Sequence, residues 1–274
     1  MRNHAVFPIH RTALTLCHAA VVAVLFTALI AGVAHAYRPF DLTDADVATR
    51  HNFEIALGPA EYARVDAEHS LRAPNLSINY GLATGRELVL EGANHVALES
   101  TPGEPRMKLE GLAFAFKQVM RRGGLQDEPG PSIAMEDAIL FPERGEKHLG
   151  AAVNLIASSA SKLGTAHFNV EGERLAEGRN AGLAGVIFEA SDHFGIAPAI
   201  ELKVEAVDGG LPEHSAILGL IYVPGRETEY DVAVRLAQSG DERIFEVRAG
   251  MTWQVSAHEV LQKAGLESPR RRRH

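Results

Sequence analysis

Hydrophobic and polar residues alternate with a period of two along most of the chain. Leu76, Ile78, Tyr80 and Leu82 interleave with Asn75, Ser77, Asn79 and Gly81, and Ile200, Leu202 and Val204 with Glu201, Lys203 and Glu205. Tyr230, Val232, Val234 and Leu236 interleave with Asp231, Ala233, Arg235 and Ala237. Phe245, Val247, Ala249, Met251 and Trp253 do so with Glu246, Arg248, Gly250, Thr252 and Gln254. Successive strand side chains point to opposite faces, so each stretch predicts a strand with one apolar and one polar face. Weaker alternation near 52–65, 86–98, 110–121, 131–141, 149–158, 164–172, 183–190 and 214–223 brings the count to about 12 strands. Turn-forming runs such as Gly123-Gly124, Glu128-Pro129-Gly130-Pro131, Asp208-Gly209-Gly210 and Ser239-Gly240-Asp241 separate them. No Pro/Ser-rich linker divides the array, which predicts one all-β domain over 51–255.

Alternation does not say which solvent meets the apolar face. That face is the core of a soluble sandwich or lipocalin, but it meets lipid in an outer-membrane barrel. The opposite face discriminates between them. It carries small residues (Ala113, Ala115, Ala134, Ala199, Ala233, Ala237, Gly250) mixed with charges of both signs, as a crowded polar barrel interior requires. The apolar phase of the four clearest strands carries no charge. A lipid-facing Lys or Arg near the bilayer centre costs about 2–4 kcal/mol, so that purity suits a membrane barrel. Sparse aromatics weigh against a full porin-type girdle. The predicted class is all-β: a single antiparallel up-and-down transmembrane β-barrel, with an N-terminal signal peptide and a short C-terminal helical and basic tail.

The N-terminus supports export. Arg2 and Arg11 flank an apolar run from Ala13 to Val33, and Ala34-His35-Ala36 supplies small residues at a cleavage site, so 1–36 read as a secretory signal peptide. The run could also span a bilayer uncleaved, but no stop-transfer charges follow it. Residues 37–50 then read as a solvated periplasmic lead-in. All 35 acidic residues follow Ala36, while Arg2 and Arg11 precede it, so the exported chain is acidic and no nucleic-acid partner is expected. The one cysteine, Cys17, lies in the leader, which leaves no disulfide or thiolate chemistry for the mature chain. Beyond the strands, Ser256-Ala257-His258-Glu259 has a capping-box pattern opening a short helix, followed by the Arg270–Arg273 cluster over a 256–274 tail.

Several sequence blocks resemble a family of outer-membrane β-barrels described as transporters, some of whose members are named for the meta-cleavage pathway of phenol degradation. They are Arg38-Pro39-Phe40-Asp41 with Thr43-Asp44-Ala45-Asp46, Asn79-Tyr80-Gly81-Leu82, Phe116-Lys117-Gln118-Val119-Met120-Arg121, Gly130 to Glu136, and Glu246 to Trp253. The resemblance spans about 38–254 and rests on strand and turn blocks rather than catalytic motifs. It implies an outer-membrane location in a diderm bacterium and a channel or facilitator for small solutes, hydrophobic or aromatic ones among them. Residues following the last strand depart from the pattern of such barrels, which end on an aromatic read by the assembly machinery.

Lys117, Glu136, Glu201, Lys203, Glu205, Arg235, Glu246 and Arg248 fall on the polar phase and are the candidate lumen-lining residues. They either select solutes or pair across a small barrel to fill it. His167 and Asn169 share a strand face near Ser158 and Ser161, the outline of an acyl-transfer site, but no nucleophile elbow accompanies them. No catalytic residue, metal site or cofactor is assigned, since no H-E-x-x-H occurs and Asp41, Asp44 and Asp46 lack EF-hand spacing. Expected partners are outer-membrane lipid and lipopolysaccharide, the barrel-assembly machinery and a small-molecule solute. A closed structural barrel, a soluble periplasmic ligand-binding barrel and, more remotely, a barrel acyl hydrolase remain alternatives.

Overall fold

The computed structural model describes residues 39–99, 105–225 and 228–263. Among these residues twelve strands form a closed barrel: β1 (Asn52–Val65), β2 (Glu68–Ala83), β3 (Arg86–Ala97), β4 (Met107–Arg121), β5 (Ser132–Leu140), β6 (Gly150–Ser161), β7 (Gly164–Arg174), β8 (Asn180–Ala190), β9 (Ile196–Val207), β10 (Glu213–Tyr222), β11 (Thr228–Ser239) and β12 (Glu242–Ser256). Each pairs antiparallel with its sequence neighbours, and β1 closes the cylinder on β12 from Asn52↔Ser256 to Val65↔Ile244. Closure leaves no unpaired sheet edge, which a strand array in lipid requires.

Exposure is inverted relative to a water-soluble protein. On β9 to β12 the outward residues Leu202, Leu218, Leu220, Val232, Leu236 and Val247 are exposed, while Ala199, Glu201, Ala233, Arg235, Glu246 and Arg248 are buried. Phe168 and Val170 on β7 repeat the pattern, exposed beside buried His167 and Asn169. A monomer in water rarely leaves so large an apolar surface uncovered. A continuous apolar band outside a polar interior is the mark of a barrel built for lipid. Trp253, on the apolar phase of β12, is buried rather than exposed to lipid.

Strand ends and connections agree with the turn chemistry. The short 3-10 turn Gly124–Gln126 lies in the β4–β5 connection, at the same rim as Asn52 and Ser256, and a helix α1 (Ala257–Lys263) follows β12. The signal peptide, its cleavage site and the arginine-rich end of the tail lie outside the described residues.

The main departure concerns the segment before β1. Residues 39–49 are not a freely solvated lead-in: Pro39, Phe40, Leu42, Ala45 and Ala48 are buried inside the barrel, while Asp41 and Thr49 keep exposure. The segment touches strands on opposite walls: β9, β11 and β12 near Asp41, β7 near Thr43, β6 near Ala45 and β3 near Ala48. Glycine makes room where it leaves the lumen. A Cβ on Gly81 would stand 2.2 Å from the Thr49 carbonyl oxygen and 2.5 Å from that of Ala48. Polar backbone and paired charges drew this segment toward a solvated reading, yet the lumen supplies partners for both.

Candidate functional site: an occluded lumen

A non-helical segment inside a barrel must find partners for its backbone N–H and C=O groups, because little water competes for them. The wall supplies side chains at the required places. Glu201 Oε2 on β9 accepts from the Asp41 and Leu42 amides at 3.0 and 2.9 Å. Asn169 on β7 accepts from the Thr43 amide at 3.3 Å and donates to the Thr43 carbonyl at 2.8 Å. Ser158 Oγ accepts from the Ala45 amide at 2.9 Å, and Glu87 Oε2 from the Ala48 amide at 2.7 Å. From the β4–β5 connection, Gln126 donates to the Ala45 carbonyl at 3.1 Å and to Asp46 at 3.0 Å.

Apolar contacts set the depth of the segment. Phe40 and Leu42 pack among Ile187, Ala199, Ile217, Ile221 and Ala233 in an apolar socket on the inner faces of β8 to β11. Ala45 packs with Ala134 and Ile156, covered by Leu125. Burying a side chain such as Phe or Leu contributes about 1.5–3 kcal/mol, so the two anchors hold the segment about as strongly as its hydrogen bonds do.

Charge fixes its position. Asp41 sits between three cations: Arg248 Nη1 at 2.6 Å, Lys203 Nζ at 3.1 Å and Arg235 Nε at 3.3 Å. Burial alone would raise its carboxyl, but Arg248, Lys203 and Arg235 outweigh that effect and hold it well below the ordinary aspartate range. Glu246 braces two of the cations, at 2.9 Å from Arg235 and 2.6 Å from Arg248, and Glu213 also pairs with Arg235. Across the lumen, the fully buried Lys117 faces Asp44 at 3.5 Å and Glu87 at 3.7 Å and donates to Thr43 Oγ1 at 3.2 Å.

The candidate lumen residues therefore fall into two groups. Lys117, Glu201, Lys203, Arg235 and Arg248 contact the inserted segment directly, and Glu246 braces the arginines. Glu205 pairs with Lys203 at 3.1 Å, and Glu136 lines an open cavity beside the segment. Sequence reasoning did not single out Asp41 as the partner of three cations, or Glu87, Ser158 and Asn169 as its backbone receptors. One signal was present: Phe40-Asp41-Leu42-Thr43 alternates like a strand although it precedes the first strand.

The serine–histidine outline has a different use. Ser158 Oγ lies 2.8 Å from His167 Nδ1, and His167 Nε2 lies 4.0 Å from Glu189. The Ser158 side chain is completely buried and engaged by the Ala45 amide, so no substrate carbonyl reaches it in this state. Asn169 turns to Thr43 and to Asn154, and Ser161 Oγ donates to the Gly164 carbonyl. Among the described residues no group of His, Cys, Asp and Glu is spaced to hold a metal ion.

Between the inserted segment and the inner faces of β1 to β3, β5 to β8 and β12 a cavity of about 280 Å³ remains. Glu61, Arg72, Glu91, Glu136 and Glu171 line its polar part, with Val89, Leu183 and the segment's Phe40 and Leu42 on its apolar part.

Closed antiparallel topology, an apolar exterior and a largely polar interior with a cavity define the fold as that of an outer-membrane β-barrel. A solved structure agrees. An outer-membrane channel from Pseudomonas putida F1 superposes with a TM-score of 0.58 at 8% identity, covering 78% of this chain and 99% of that one. The KdgM porin in complex with disordered oligogalacturonate follows at 0.49 and 11% identity, covering 73% and 98%, and the CymD monoaromatic hydrocarbon channel at 0.44 and 8%, covering 76% and 89%. No protein-family pattern and no curated protein matches the sequence.

Proposed function

We propose that this chain is an outer-membrane channel or facilitator for small solutes, closed at rest by its own residues 39–49. The observation that carries the reading is the noncovalent seating of that segment. It fills a polar lumen through hydrogen bonds, ion pairs and two apolar anchors, each of which can be released without unfolding the strands. A cavity already opens beside it. The mixed apolar and polar lining of that cavity, together with the resemblance to transporter-type barrels of aromatic degradation, favours small hydrophobic or aromatic solutes carrying a polar group.

We take the protein to reach the outer membrane by export, with cleavage of its leader after Ala36, insertion by the barrel-assembly machinery, and lipid and lipopolysaccharide around its apolar band. Planar-bilayer recording tests the channel reading. Full-length protein should give small or rare openings, and deletion of residues 39–49 should give a stable, larger conductance. A flat trace from both proteins would sink the reading. That outcome would favour the second one, a closed structural barrel, which the density of ion pairs in the lumen supports.

A further inference from the structure

The cavity beside the inserted segment is lined by more acidic than basic side chains. Glu136 on β5 and Glu171 on β7 flank Asn154 of β6 in one cross-strand row, all on the inner face. Glu91 of β3 lines the same cavity and lies within electrostatic reach of both carboxylates. The two cations that line it are committed elsewhere: Arg72 to Glu110 at 3.4 Å, Arg248 to Asp41 and Glu246. Lys117 acts on Glu136 but is shared with Asp44 and Glu87. Glu61 is met by the Asn75 amide, and Glu171 shares a hydrogen bond with Glu173, another acid.

A second feature is independent of charge. Asn154 lines the cavity at 5% exposure, and while its Nδ2 donates to Asn169 at 3.0 Å, its Oδ1 has no hydrogen-bond partner. A buried amide oxygen left without a donor costs about 1–3 kcal/mol, so a site that keeps one between two carboxylates is built to receive a donor. The donors must be cationic to satisfy the carboxylates as well. Among the described residues the acidic side chains are not clustered as metal ligands would be. The cavity's volume and its apolar wall of Val89, Leu183, Phe40 and Leu42 suit an organic body.

We propose that this cavity binds small amphiphilic cations, with an ammonium or guanidinium head against Glu91, Glu136, Glu171 and Asn154 Oδ1 and an apolar body against Phe40, Leu42, Val89 and Leu183. The inference rests on reading the lumen as a solute path and names the class of solute that path would select.

Calorimetric titration of the full-length barrel in nonionic detergent tests it, with benzylamine as the cationic probe and benzyl alcohol as its neutral counterpart. Benzylamine should bind saturably and benzyl alcohol more weakly. The combined Glu91→Gln, Glu136→Gln and Glu171→Gln variant should lose about tenfold or more of the benzylamine affinity and none of the alcohol's. Asn154→Leu, which removes the acceptor without touching the carboxylates, should also weaken benzylamine. Heat-modifiable gel migration establishes that each variant is a folded barrel, and a variant that fails this check is replaced by the single Glu136→Gln change. Equal affinity for the two probes, no saturable benzylamine heat, or unchanged affinity in the variants would overturn the proposal. Bilayer conductance separates the two readings: a conducting barrel that ignores benzylamine loses only this inference, and a benzylamine-binding barrel that never conducts loses only the channel.

Discussion

Asp41 and Arg248 are joined by a 2.6 Å hydrogen bond although 207 positions separate them in sequence. The same guanidinium donates to the Pro39 carbonyl at 3.0 Å, so one arginine of the last strand holds both the backbone and the side chain of the inserted segment. Asp41→Asn keeps the shape but leaves Arg248, Lys203 and Arg235 short of one counter-charge. Breaking a buried pair costs about 3–5 kcal/mol, and since the Asp41 side chain keeps 20% exposure, a lower figure of about 2 kcal/mol is expected. That is about a thirtyfold fall in the ratio of seated to released segment, read as a rise in open probability in bilayers and as faster proteolysis within 39–49.

Acid should not release the segment through Asp41. A carboxyl whose folded value is lowered contributes stability that is complete above its ordinary value of 3.8 and is lost only as pH falls through the lowered one. Protease protection of residues 39–49 should therefore persist from pH 7 to about pH 4 in the wild type. Release between those limits would show that Asp41, or another carboxylate that holds the segment such as Glu201 or Glu87, takes up a proton in that range.

The strand array and its inside-out character are legible in the alternation, most clearly on β9, β11 and β12, where one phase is apolar and the other small or charged. The weak alternation at 183–190 and 214–223 has a physical cause. Leu183, Ile187, Ile217 and Ile221 face inward, where Phe40 and Leu42 need an apolar socket, so both faces of β8 and β10 read as apolar. Apart from the short alternation over Phe40–Thr43, the inserted segment was not legible. Its wall side-chain partners lie between 39 and 209 residues away, and no local pattern distinguishes a charge paired across a lumen from one in water.

The rim where the segment leaves the lumen depends on a missing side chain. Gly81→Val would drive its Cβ into the Ala48 and Thr49 carbonyls, contacts under 3 Å that only movement of the segment relieves. Unseated residues 48–49, a larger single-channel conductance and unchanged heat-modifiable migration are the expected result. Normal conductance would place the segment's exit elsewhere.

Lipid contact on the outer wall can be checked apart from anything in the lumen. Leu202 is 51% exposed on β9, between the inward Glu201 and Lys203. Leu202→Arg should destabilise the barrel by about 2–4 kcal/mol in urea titrations of protein folded into liposomes, since an arginine near the bilayer centre loses its hydration. A cost below about 0.5 kcal/mol, the usual range for a water-exposed surface position, would mean that β9 faces water.

Ser158 offers the sharpest contrast between chemistry and packing. Its hydroxyl stands 2.8 Å from His167 Nδ1, a nucleophile–base distance, yet it also accepts the Ala45 amide at 2.9 Å from full burial. If the pair exists to seat the segment, Ser158→Ala removes an acceptor from a buried N–H and weakens seating by about 1–3 kcal/mol. Ser158→Thr, which keeps the hydroxyl, should restore most of it. Both effects should appear in the bilayer record and in protease protection of 39–49. If the pair is instead a catalytic site uncovered on release, the protein lacking 39–49 should hydrolyse an activated ester such as p-nitrophenyl acetate, and Ser158→Ala in that background should abolish the turnover. The seating role predicts no serine-dependent hydrolysis in that background.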